Sequence, residues 1–102
     1  MQIIKKLSKQ IKDELHDAEK YAELAIEHKA EHPTLSSVYY RLANAELDHV
    51  NMLHGEVVDL INKAKGEKAV PPVMFEFWAW QHDEMIEEEK EVRMLLEMYK
   101  SK

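Results

Sequence analysis

"YRLANAELDHVNMLHGEVV", Tyr40 to Val58, decides how this chain folds. Counted in steps of three and four, Leu35, Tyr39, Leu42, Glu46, His49, Leu53 and Leu60 fall on one stripe of a helix. Residues on such a stripe face a partner helix. Two consecutive members, Glu46 and His49, are ionisable, and burying such groups unpaired is costly. Either they pair with something, or the stripe is not fully covered at that height.

Around this segment the composition is that of a helical protein. The 102 residues suffice for one domain or one subunit of a larger assembly. Hydrophobic residues make up 45% and charged residues 33%, which suits a foldable chain and not a disordered one. Only two glycines and three prolines interrupt it, and helix formers dominate. The net charge is −6 and the 14 basic residues are scattered, so nucleic acid is not an expected partner. No cysteine is present, which excludes disulfides and thiolate chemistry. "MQIIKKLSKQIKDEL" breaks its apolar residues every two or three positions, unlike a signal peptide, and no apolar run is long enough to span a bilayer. A cytoplasmic protein, with no membrane partner, is the expectation.

Three helices follow from the periodicity and its breakers. Ile4, Leu7, Ile11, Leu15, Ala18, Ala22 and Ala25 repeat with helical period, predicting a helix over 2–30. "EHPTLSS" is a joint in which Pro33 closes one helix and opens the next. A second helix is predicted over 34–64. "KAKGEKAVPP" forms the second joint, with Gly66 as the helix stop and Pro71-Pro72 blocking continuation. A third helix is predicted over 73–99. The fold class is therefore all-α, a long antiparallel hairpin followed by a third helix. The apolar start of the third helix, "VMFEFWAW", calls for a neighbour and points to oligomerisation.

The first helix repeats the anomaly of the second. Its inward stripe reads Ile4, Leu7, Ile11, Glu14, Ala18, Tyr21, Ala25, so a carboxylate stands among core residues. With the hairpin folded near Pro33, Glu14, Glu46 and His49 reach heights within roughly two helical turns of each other. A carboxylate from one helix and a carboxylate–imidazole pair at i and i+3 from its neighbour suit iron or manganese, and zinc as well. A dinuclear bundle site takes one Glu from each of two helices and a Glu-x-x-His from each of two others. This hairpin holds half that inventory, and a two-fold axis would supply the rest. The bare spacing is weak: with 15 Glu and 6 His, about one Glu-x-x-His arises by chance. A buried hydrogen-bonded network without metal is the alternative.

"DELHDAEKYAELA" followed by "YYRLANAELDHVNML" resembles the helical hairpin of the ferritin-like superfamily, in particular its rubrerythrin-type branch, over about residues 10 to 60. The resemblance rests on Glu14, on Tyr21 two turns later, and on the Ala-x-x-Glu-x-x-His pattern that ends at Glu46 and His49. It implies that Glu14, Glu46 and His49 bind iron at a di-iron centre that oxidises ferrous iron or reduces oxygen or peroxide. A full-length member carries a second hairpin with the other half of the site, whereas this chain adds one helix without a Glu-x-x-His. The chain is thus closer to the encapsulated-ferritin type, which makes its site across a dimer interface. That implies a ferritin-like four-helix bundle completed by a homodimer or larger even homo-oligomer, and association with a protein shell. No tail resembling a shell-targeting extension follows the third helix.

The remaining candidates are weaker. In "HDEMIEEEKEV" the inward stripe is expected to run Trp78, His82, Met85, Glu89, Val92, Leu96, Tyr99. His82 and Glu89 could approach a metal site or conduct iron to it, while Glu84, Glu87, Glu88 and Glu91 read as surface charge. His28 and His32 are four apart at a helix end, where imidazoles interact favourably with terminal carbonyls. His16 and His54 face away from the inferred seam. Tyr21 and Tyr39 are read as packing residues beside the site. A metal-free helical interaction module is the competing function.

Overall fold

The computed structural model of the chain describes residues 2–66 and 71–101. Every element in it is an α-helix: α1 (Gln2–His28), α2 (Pro33–Lys65) and α3 (Pro72–Ser101). The all-α class and the three expected helices are observed, with ends within two residues of expectation. At the first joint Pro33 occupies the opening turn of α2, where its missing N–H costs nothing. The α2 helix stops at Gly66, whose φ of −84° is right-handed and whose N–H donates to Lys63 O at 3.2 Å. Gly66 therefore ends the helix without the left-handed turn that glycine permits. Pro72 opens α3, and residues 67–70, the middle of the second joint, lie outside the described residues.

The helices run up, down and up in a rod of 57 × 17 × 16 Å. α1 is the shared element: α2 and α3 both pack along it and approach each other closely at few points. Ile4, Ile11, Leu15, Ala18 and Ala22 of α1, Ala43, Leu47, Val50, Val57 and Ile61 of α2, and Met74, Met85, Val92 and Leu96 of α3 form the core. Ile11, Leu15, Val57 and Val92 are fully enclosed. Truncating Ile11 or Leu15 to alanine costs about 2–5 kcal/mol, because the rigid rod leaves a cavity.

The phase of α2 differs from the expected stripe by one residue. Its buried row is Ser36, Ala43, Leu47, Val50, Val57 and Ile61. Leu35 and Leu42 are exposed, and Tyr39, Glu46 and Leu53 are only partly covered. The reason lies on α1, where Ala18, Ala22 and Ala25 present a smooth strip. Small residues of α2 settle on that strip and let the helices approach closely, which turns the leucine stripe to the edge of the hairpin. On α1 the same rotation leaves Ile4, Ile11, Ala18 and Ala25 buried while Leu7, Glu14 and Tyr21 line the edge. The stripe expected for α3 is observed: Met85, Val92 and Leu96 are buried, flanked by partly covered Trp78, His82, Glu89 and Tyr99.

Two polar contacts secure the end of the rod nearest the first joint. The hydroxyl of the fully buried Ser36 donates to Ala25 O, one of the last four carbonyls of α1, which have no partner within the helix. Such a bond contributes about 1 kcal/mol and fixes the register of α1 against α2. Lys29 similarly donates to Tyr99 O near the end of α3, with its ammonium 4.6 Å from the centre of the Tyr99 ring. Tyr99 stacks in turn on Tyr40 of α2, ring centres 4.4 Å apart, so all three helices meet there.

Candidate metal centre

The open edge of the α1–α2 hairpin gathers the three singled-out ionisable residues. His49 Nδ1 lies 3.2 Å from Glu14 Oε2 and 3.8 Å from Glu46 Oε1. One ligand atom from each of the three residues falls within 4.8 Å of the others. With its proton on Nδ1, His49 donates to the Glu14 carboxylate. The carboxyls are well covered, with side-chain exposures of 22% for Glu14 and 16% for Glu46, while His49 at 48% forms the outer lip. Tyr21 and Tyr39 stack two turns away, ring centres 6.1 Å apart, and His28 lies against Tyr39 at 5.9 Å. They pack the seam and leave the three donors clear.

The two carboxyls of this group perturb each other in opposite directions. Burial, and then the hydrogen bond with Glu14, pushes the Glu46 pKa up to about 7. That of Glu14 is lowered, first by the hydrogen bond it receives from Glu46 and further by His49, while its own burial works in the opposite direction. Glu46 Oε2 is buried and has no hydrogen-bond partner. A buried carboxylate oxygen without a donor is satisfied by a proton or a cation. The residues present therefore fit a divalent metal: two carboxylates, one imidazole and an unsatisfied oxygen within reach of each other.

Metal-free stability should depend on pH through this pair. Between about pH 4.5 and 7 the folded chain keeps on Glu46 a proton that the unfolded chain releases, so stability falls as pH rises through that window. Glu46→Gln retains a donor towards Glu14 and removes the titration. Chelator-treated Glu46→Gln protein should melt at a higher temperature than the parent at pH 8 and at nearly the same temperature at pH 4.5. Parallel melting curves across that range would refute the raised Glu46 pKa.

α3 does not join this group. Glu14 and His16 are two residues apart and hence roughly 200° apart around α1. His16 is engaged by α3: its Nδ1 lies 2.7 Å from Glu88 Oε2, with Glu19 beside them. Glu14 accordingly points away from α3. Glu88, expected as surface charge, is instead a covered partner of His16, with 16% side-chain exposure. Its pKa is raised by burial, with the His16 charge opposing. Glu84 approaches Lys12 at 3.9 Å, and Glu87 and Glu91 are exposed as expected.

His82 and Glu89 line a different recess. Between α2 and α3 a cavity of about 160 Å³ is bordered by His54, His82, Asn51 and Glu89 over an apolar floor that includes Ile11 and Leu15. The His54 and His82 rings lie 5.1 Å apart, and the Trp78 ring is 5.5 Å from His82 and 5.9 Å from His54. The pKa of His54 is lowered, first by burial and then by His82, with Glu89 acting the other way. His54 does face away from the Glu14 seam, as expected, and its engagement with α3 had no signal in the spacing of either helix alone. His28 and His32 sit at the first joint with ring centres 5.9 Å apart.

Comparison with family models, with curated proteins and with solved structures finds no match for this chain.

Proposed function

We propose that the hairpin edge is one half of a dinuclear carboxylate–histidine centre, completed by a second copy of the chain about a two-fold axis, and that its activity is the oxidation of ferrous iron. The observation that carries this reading is the buried, partnerless Glu46 Oε2, set beside Glu14 and His49 at an edge that α3 leaves open. Along the same side of α2, Leu35 and Leu42 are 41% and 37% exposed. An isologous contact there would cover them and bring four Glu and two His together.

In this reading Glu14 and Glu46 hold the cations and His49 adds a nitrogen donor from each chain. Cation binding displaces the proton held by Glu46, so affinity rises with pH up to about 7. Anionic oxygen donors favour the harder ferric ion over the ferrous one, which drives the oxidation. Iron held by Glu14, Glu46 and His49 would supply the electrons, two ferrous ions being oxidised for each oxygen reduced, with two protons, to hydrogen peroxide, or for each peroxide reduced, with two protons, to two waters. The same donors accommodate manganese and zinc. Iron is chosen on the resemblance of Glu14, Tyr21, Glu46 and His49 to the ferritin-like hairpin. A cytoplasmic location and a shell as partner extend the same reading.

An anaerobic ferrous titration of metal-free protein, with the mass of the species measured alongside, tests it. One iron per chain in a species of even chain number is the expected result. Two per chain would place the whole site in one subunit and remove the two-fold axis. No binding above background would leave the metal-free interaction module, with the His49–Glu14 hydrogen bond as its register device.

A further inference from the structure

α2 and α3 approach each other at few places, and at one of them the groups that meet are two imidazoles. The His54 and His82 rings are inclined by 28° with centres 5.1 Å apart. Two imidazoles on one tetrahedral ion, with metal–nitrogen bonds of about 2.05 Å, have ring centres about 5 Å apart. The helices already hold the two rings at that separation. Trp78 packs against both rings and covers one side of the pair.

Space for the rest of a coordination shell lies alongside. The adjoining cavity of about 160 Å³ has His54 and His82 in its wall. A water takes about 30 Å³, so an ion with one or two water ligands fits without displacing Ile11, Leu15 or Met85. Glu89 stands on the rim, two turns beyond His82 on the same face of α3. Its carboxylate would balance the charge of the ion and accept a hydrogen bond from bound water, as outer partners of metal sites do. Nitrogen donors over an apolar floor select borderline ions such as zinc, cobalt or nickel, unlike the oxygen-rich group at the hairpin edge.

We propose that His54 and His82 form a second metal site, for a borderline divalent ion such as zinc, that ties α3 to α2 independently of Glu14, Glu46 and His49. The site is a clamp between two helices otherwise joined mainly through α1.

The test uses full-length, chelator-stripped protein carrying Glu46→Ala, so that the first site cannot contribute. Zinc is titrated against a competing indicator, and melting is followed with and without the metal. The expected result is one zinc per chain, a melting temperature raised by several degrees, and affinity lowered at least about tenfold by either His54→Gln or His82→Gln. Cobalt should quench Trp78 fluorescence in a Trp80→Phe background and fail to do so after His82→Gln. Helical circular dichroism confirms that each variant is folded. Zinc affinity unchanged by both glutamine variants overturns the proposal. So does affinity lost instead with His28→Gln or His16→Gln, or a melting temperature that zinc does not move.

Discussion

Replacing Glu46 with alanine is expected to abolish ferrous oxidation while leaving the helices in place. Changes to groups that merely support a metal ligand cost about 10–100-fold, so loss of a direct donor should lower the rate by more than about a hundredfold. The fold should not suffer, because alanine is the best helix former and the substitution removes a carboxyl whose burial is unfavourable. Stopped-flow absorbance after mixing with ferrous iron and oxygen, paired with circular dichroism, separates the two effects. Turnover equal to the parent would remove Glu46 from the mechanism. Loss of turnover together with loss of helix would mean that the carboxyl is structural.

The second large effect is expected from the double substitution Leu35→Lys with Leu42→Ser. Both leucines are exposed and neither belongs to the core, so the rod itself should keep its melting behaviour. Across a two-fold contact each substitution is present on both chains, so two lysines enter the interface and the apolar cover is removed twice. The variant should sediment at the 12.0 kDa mass of one chain and lose ferrous oxidation, although Glu14, Glu46 and His49 are untouched. Trp80→Lys on the outer face of α3, where Trp80 is 56% exposed, should change neither property. A monomer that still oxidises iron at full rate would place the complete activity in one chain.

Much of this architecture was legible in the amino-acid order, for physical reasons that also set the limits of that reading. Pro33, Gly66 and Pro72 interrupt an otherwise unbroken helical period: α2 begins at Pro33 and stops at Gly66, and α3 begins at Pro72. Counting 1.5 Å per residue from the first joint puts Glu14 near Glu46 and His49 in height, and they meet at 3.2 to 3.8 Å. The phase of α2 was less legible. Large apolar residues dominate a heptad count, which favours the row through Leu35 and Leu42. Helices lined with alanine instead bury small residues, here Ser36 and Ala43. The pairs His16–Glu88 and His54–His82 depend on where α3 lies around α1 and α2, and the period of one helix carries no information on that angle.

The Ser36–Ala25 hydrogen bond, together with the alanine strip beneath it, has a consequence at a distance. Ala25 is 11 residues from Glu14, roughly 16 Å along the axis, yet it governs the alignment of the three donors. Two helices in contact along their length act like the scales of a slide rule: a setting made at one end is read at the other. A slip of one residue shifts α2 by 1.5 Å and turns it by about 100°, which carries Glu46 and His49 out of reach of Glu14. The alignment of Glu14 with Glu46 and His49 is therefore set at the hairpin bend, about three helical turns away from them.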